Sequence, residues 1–245
     1  MSLRRTGATA VRVLSQLRRD PRTVALLLIV PSALVTLLDY MFVGRPFVFD
    51  RIGGPLLGLF PFVAMFLVTS ITMLRERTTG TLERLMALPV AKLDLLVGYG
   101  AAFALVAAIQ ATVVSSVAFG LLGLETAGPP WLVIVLAVGN AVLGMSLGLF
   151  FSAFARTEFQ AVQFMPAVVF PQLLLCGLIV PREEMARALE VASLFLPLTY
   201  AYDALDRVTR LDLVDARLAL DVIVVAGSTI LALVLGALTL RRRTA

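Results

Sequence analysis

Residues able to carry bond-making chemistry are nearly missing from this chain. Histidine is absent and cysteine occurs once, as Cys176 inside an apolar run. His-ligated zinc or haem, a histidine-based triad and an internal disulfide are therefore excluded. The adjacent acids Glu183 and Glu184 read as the start of an external helix whose dipole they complement, and no metal site is expected in them. What remains is the chemistry of paired charge. Arg75, Glu76, Arg77, Glu83 and Arg84 alternate base and acid in R-E-R-T-T-G-T-L-E-R-L-M-A-L-P-V, Arg75–Val90. Thr81, Leu82 and Glu83 open a short amphipathic stretch in which Leu82, Leu85 and Met86 share a face. Leu88 extends it and Pro89 stops it. Such a helix can dock its apolar face in a partner's groove while its charges fix the register. An ordinary solvated loop is the other reading, and the residues alone leave both open.

The elements that hold this stretch are membrane helices. Of the 245 residues, 60% are hydrophobic and 15% charged, with mean hydropathy +0.96. Soluble domains are about 45–50% apolar and about 25% charged, so lipid must be the solvent for most of this chain. A crossing needs about 20 apolar residues. Six stretches qualify: 24–43, 52–74, 93–124, 131–154, 159–180 and 218–240. The expected fold is thus an all-α integral membrane protein forming one transmembrane domain over 1–245.

Six crossings place both termini on one side. Lysines and arginines then number fourteen on the terminal side, including Arg241, Arg242 and Arg243, and seven on the other. The positive-inside rule makes both termini cytoplasmic. The net charge of +5 flanks apolar segments in this way, which argues against nucleic acid. The first apolar run starts near Val24 after a long basic lead with no small-residue cleavage site, so no cleavable signal is expected.

Three segments are expected not to cross. Residues 1–23 read as a basic interfacial helix against anionic membrane lipid. Residues 75–92 form the cytoplasmic loop. Residues 181–217, with Leu194, Phe195, Leu196, Leu198, Tyr200 and Tyr202, suggest short re-entrant helices before the last span, tyrosines at headgroup depth.

Polar and proline residues inside the spans come next. Gln110, Asn140 and Gln172 are expected near mid-membrane, where a bare amide costs several kcal/mol. They read as interhelical hydrogen bonds, with a polar touch on a substrate path as the alternative. Asp39 and Asp221 are expected near the outer ends of the first and last spans, within reach of water. Pro31, Pro61, Pro166 and Pro171 permit kinks, and Pro166 and Pro171 are the gating candidates. Gly144 with Gly148, and Gly53 or Gly54 with Gly58, permit close helix contact within the subunit or between copies.

The run E-R-T-T-G-T-L-E-R-L-M-A-L-P resembles the cytoplasmic loop of ABC-2 type permeases, including the daunorubicin-resistance type of drug exporters. F-P-Q-L-L-L-C-G-L-I-V-P-R-E-E-M (Phe170–Met185) and L-P-L-T-Y-A-Y-D-A-L (Leu196–Leu205) are similar to the family's proline turn and following segment. The resemblance implies a non-catalytic permease that pairs with a second copy or paralogue and recruits two ATPase subunits. It places Arg75, Glu76, Arg77, Gly80, Glu83 and Arg84 in the ATPase-coupling element, with the N-terminal helix beside it as a connecting helix. No G-x-x-x-x-G-K-[ST] loop occurs, so ATP and magnesium are expected on the partner, with no cofactor on this chain.

The expected function is alternating-access export from a bacterial plasma membrane. Phe62, Phe66, Phe103, Phe164 and Phe170 suit an amphipathic or lipid-like cargo. An ion-coupled carrier and a non-transporting scaffold are the alternatives.

Overall fold

In lipid every backbone polar group must find its partner within the protein, and helices meet that demand segment by segment. The computed structural model describes residues 3–81, 84, 92–211 and 215–239, and these are helical without strands. Leu82, Glu83, Leu85, Met86, Leu88 and Pro89 of the expected coupling helix lie outside them.

Among the described residues ten α-helices follow one another: α1 Leu3–Arg18, α2 Pro21–Met41, α3 Pro46–Thr78, α4 Lys92–Gly120, α5 Pro130–Phe151, α6 Glu158–Phe164, α7 Phe170–Leu175, α8 Arg187–Ser193, α9 Pro197–Leu211 and α10 Ala216–Leu238. Five of them, α2, α3, α4, α5 and α10, are long and apolar enough to cross a membrane. Their starts are chemically marked. Asp20 caps α2 by accepting from the Thr23 amide at 3.2 Å and its hydroxyl at 2.6 Å, and Asp215 caps α10 through the Leu218 amide at 2.9 Å. The Thr23 hydroxyl bond holds the Asp20 carboxyl below its ordinary range.

The stretch expected as the fifth crossing is helical from Glu158 to Leu175 but comes in three pieces. A π turn, Met165–Val169, separates α6 from α7. Its cause is the two prolines. Pro166 and Pro171 have no N–H to donate, so the ladder widens, and the Phe170 amide bonds the Met165 carbonyl five residues back. The Gln172 side chain supplies a substitute donor to the Val168 carbonyl at 3.1 Å.

α3 and α5 make the most extensive contact in the molecule. Gly144 and Gly148 of α5 face α3, where an added Cβ would fall on the Phe62 and Phe66 carbonyls. Gly54 and Gly58 of α3 leave room for Thr209 and Leu205 of α9. Both glycine pairs therefore serve packing within the subunit. The rim helices α2 and α10 leave apolar faces outward, among them Leu26, Ile29, Leu37, Ile223 and Ile230.

Four expectations need correction. The loop does not begin at Arg75, because helical bonding continues to Thr78; the Thr79 amide bonds the Arg75 carbonyl at 2.9 Å and Gly80, at φ +72°, ends the helix. Arg75, Glu76 and Arg77 therefore belong to α3. Asp221 is buried, 3% exposed, where α10 meets α9. Glu183 and Glu184 lie in an isolated 3-10 turn, Arg182–Glu184, and do not start α8. The N-terminal helix ends at Arg18, and it packs on α4 by fitting Thr6 and Thr9 against Gly98.

The glycine contact yields a direct test. Gly148→Val should lower the melting temperature of detergent-purified protein strongly, since overpacking costs about 1–3 kcal/mol. Gly139→Val in the same helix, where a Cβ meets nothing within 4 Å, should leave it unchanged.

Candidate functional site

Three consecutive residues at the end of α3 reach three different helices. At 3.6 residues per turn, neighbours point about 100° apart. Glu76 turns inward: Arg12 Nη1 of α1 donates to its Oε1 at 3.2 Å and Oε2 at 3.5 Å, and Gln16 Nε2 donates to Oε1 at 3.1 Å. Arg12 also donates to the Tyr99 hydroxyl of α4, its guanidinium carbon 5.4 Å from that ring's centroid. Arg75 donates to Glu158 of α6 in a two-pronged pair, 2.7 and 3.1 Å. Arg77 donates to the Thr239 hydroxyl beyond α10 at 3.3 Å.

The ties differ in strength. The Glu76 side chain is 7% exposed, so removing Arg12 would strand a buried charge, a loss of about 3–5 kcal/mol. Arg75 and Glu158 are each more than half exposed, and such pairs contribute about 0–1 kcal/mol. One connection is rigid and one is releasable. Gly80 and Arg84 follow, Arg84 exposed and its amide bonded to the Gly80 carbonyl at 3.0 Å. α1 and the end of α10 meet α3 here, so both ends of the described chain share this terminal face.

A cleft of about 810 Å³ rises from the same place. Its foot is polar, with Gln16, Asp20, Thr23, Arg75, Glu76 and Thr79. Its walls are apolar, with Leu27, Val30 and Pro31 of α2 facing Val63, Leu67 and Ile71 of α3. Phe103 of α4 and Met165 and Leu173 of the broken helix close it. The cleft can hold a molecule with an apolar body and a polar head.

The remaining expected site residues lie elsewhere. Gln110 donates to the Leu27 carbonyl at 3.0 Å, joining α4 to α2, and Gln172 accepts from the Leu198 amide at 3.4 Å. Asn140 is buried against Gly58 with neither amide atom hydrogen-bonded among the described residues. None of the three lines the cleft, nor do Pro166 and Pro171, although their neighbours Met165 and Leu173 do. Of the five phenylalanines, Phe103 reaches the cleft while Phe62 and Phe66 are sealed in the core. Arg12, Gln16, Tyr99 and Glu158 were not singled out from the sequence. Arg12 and Gln16 share a helix face by their four-residue spacing, but no local signal names their distant partner.

The far face carries a second charged group. Arg182 pairs with Asp203 of α9 at 2.5 Å, and Arg207 with Asp215 at 3.2 Å. Burial pushes the Asp203 carboxyl up to about 6, against the pull of Arg182. Gly177, at φ +104°, turns the chain here, 3.2 Å being left between an added Cβ and the Tyr202 ring.

A membrane helix bundle with an amphipathic cleft and a charged, loop-bearing helix end fits a transport permease. The profile of the ABC-2 type transporter family matches residues 5–208, and the chain belongs to that family. It is 29% identical over 156 residues to ABC transporter G family member 20 of Dictyostelium discoideum, covering 64% of this chain and 21% of that protein. It is 28% identical over 130 residues to the probable multidrug ABC transporter permease YbhR of Escherichia coli (strain K12), covering 53% of this chain and 35% of the relative. The aligned region thus spans between a fifth and about a third of these relatives' own lengths.

The Asp203 carboxyl predicts a pH dependence. Its folded-state pKa of about 6 lies above the ordinary 3.8. Its contribution to stability is therefore fully present below 3.8 and is lost as pH rises through about 6. Asp203→Asn should remove that slope from a plot of melting temperature against pH; an unchanged slope would count against the assignment.

Proposed function

We propose that this chain is the membrane subunit of an ATP-driven exporter and moves an amphipathic or lipid-like molecule outward by alternating access. The observation that carries this is the cleft: its polar foot is built from the same turn of α3 that leads into the loop after Gly80. A displacement of that loop reaches the cargo site within one helical turn. The multidrug description of the relative from Escherichia coli supports the same class of cargo.

In this reading the terminal face is cytoplasmic, as the arginine distribution favours, and the membrane is a bacterial plasma membrane. The broken run Glu158–Leu175 makes the sixth crossing. At about 1.5 Å per residue it is roughly 27 Å long, close to the hydrocarbon thickness. α8 and α9 enter the outer leaflet without crossing, with exposed Leu194 and Phe195 toward lipid. Two ATPase subunits bind the loop between α3 and α4, a second permease copy or paralogue completes the assembly, and ATP with magnesium stays on the ATPases. The segment Leu82–Leu88, Glu83 included, supplies the docking surface. Pro166 and Pro171 let the broken helix flex beside the cleft, opening and closing its wall.

Buried Asp221 supports a second reading, an ion-coupled carrier, because a sequestered carboxyl is what such a mechanism uses. Vesicle transport driven by a proton gradient without nucleotide would favour it.

Co-expression with a candidate ATPase subunit tests the first reading. The complex should survive detergent purification and hydrolyse ATP, and Glu83→Arg should release or uncouple the ATPase. Ala64→Trp, filling the cleft wall, should cut ATP-driven dye export about tenfold or more, the equivalent of about 1.4 kcal/mol, while the ATPase still co-purifies.

A further inference from the structure

Arg75, Glu76 and Arg77 are the charges a coupling loop would be expected to show its partner, yet each is engaged inside the chain. Glu76 is 6% exposed and accepts from both Arg12 and Gln16 on α1. Through Arg12 it is joined to Tyr99 on α4. Arg75 grips Glu158 at the first residue of α6, seven residues before the π turn begins at Met165. Arg77 reaches Thr239 past the end of α10. Glu76, buried and hydrogen-bonded on this scale, has no face left for a second protein; Arg75 stays more than half exposed, but its Nε and Nη2 are both taken by Glu158. The three bonds leave α3 in three directions, and together they reach α1, α4, α6 and the end of α10.

We propose that Arg75, Glu76 and Arg77 are positioning residues that distribute a displacement of α3 to the surrounding helices, and that they do not contact the ATPase. This rests on the exporter reading above and adds the division of work within it. Glu76 makes the rigid link: its buried, multiply bonded carboxylate makes α1, α4 and the end of α3 move as one body. Arg75 makes the releasable link: its exposed pair with Glu158 opens at little cost, freeing the broken helix that carries Met165 and Leu173 of the cleft wall. Recognition of the ATPase is left to the residues after Gly80.

Charge reversal with an internal rescue tests this in the permease–ATPase complex. Glu76→Arg and Arg12→Glu would be made singly and together, as would Arg75→Glu and Glu158→Arg. Glu76→Gln serves as the conservative variant should reversal prevent folding. The readouts are ATPase co-purification and the ratio of dye-stimulated to unstimulated hydrolysis. Single variants should keep the ATPase and lose stimulation by about fivefold or more, as a coupling free energy of about 1 kcal/mol implies. The paired reversals should restore it, although Arg12 and Glu158 lie outside the loop.

Release of the ATPase by the single variants, unrepaired by the internal partner, would place the triplet at the docking surface and overturn the proposal. Unchanged stimulation would overturn it as well. A wild-type chain that recruits no ATPase would defeat the exporter reading itself, a failure recognisable because no variant is needed to see it. The melting temperature of the permease alone would then still decide the Arg12–Glu76 link, through recovery in the doubly reversed protein.

Discussion

The fold depends on the approach of α5 to α3 at Gly144 and Gly148, backbone against backbone. Among lipid tails there is no hydrophobic force to drive one apolar helix onto another, so association relies on dispersion and close contact. A missing Cβ at two positions one turn apart lets α5 lie against the Phe62 and Phe66 carbonyls. Larger side chains then fill the flanks: Phe62, Phe66, Met65 and Leu143 are all essentially sealed. α9 repeats the device on another side of α3, at Gly54 and Gly58. With α3 fixed in this way, the positions of α2, of the cleft between them and of the charged end of α3 all follow.

The crossings were legible in the sequence because the bilayer imposes a single length and a single polarity. That constraint located α2, α3, α4, α5 and α10 to within a few residues at most ends. Of the four prolines expected to permit kinks, Pro166 and Pro171 lie at a π turn, whereas α2 and α3 run on as α-helix through Pro31 and Pro61. The loop start expected at Arg75 was too early for a physical reason. A charged R-E-R triplet reads as the edge of the membrane, yet charge does not end a helix when each charged group has a partner and the first left-handed residue comes only at Gly80.

The partners themselves were not legible. Arg12 and Glu76 are 64 positions apart, and Arg75 and Glu158 are 83. Nothing local distinguishes an arginine that turns inward, as Arg12 does, from one left exposed, as Arg18 is. The same limit applied to Asp221. Its position near a helix end suggested water, whereas the packing of α9 over that end removed it. Glycine spacing gave the contact sites but not the partner helix, and the amides Gln110 and Gln172 gave polarity but not which carbonyl or amide they meet.

The grip on α3 has a mechanical consequence. Its far half is held by α9 at Gly54 and Gly58 and its middle by α5 near Phe62 and Phe66. A helix gripped at two levels keeps its direction, so the short reach from Phe66 to Arg75, roughly 13 Å at about 1.5 Å per residue, moves with α5 and α9 and not apart from them.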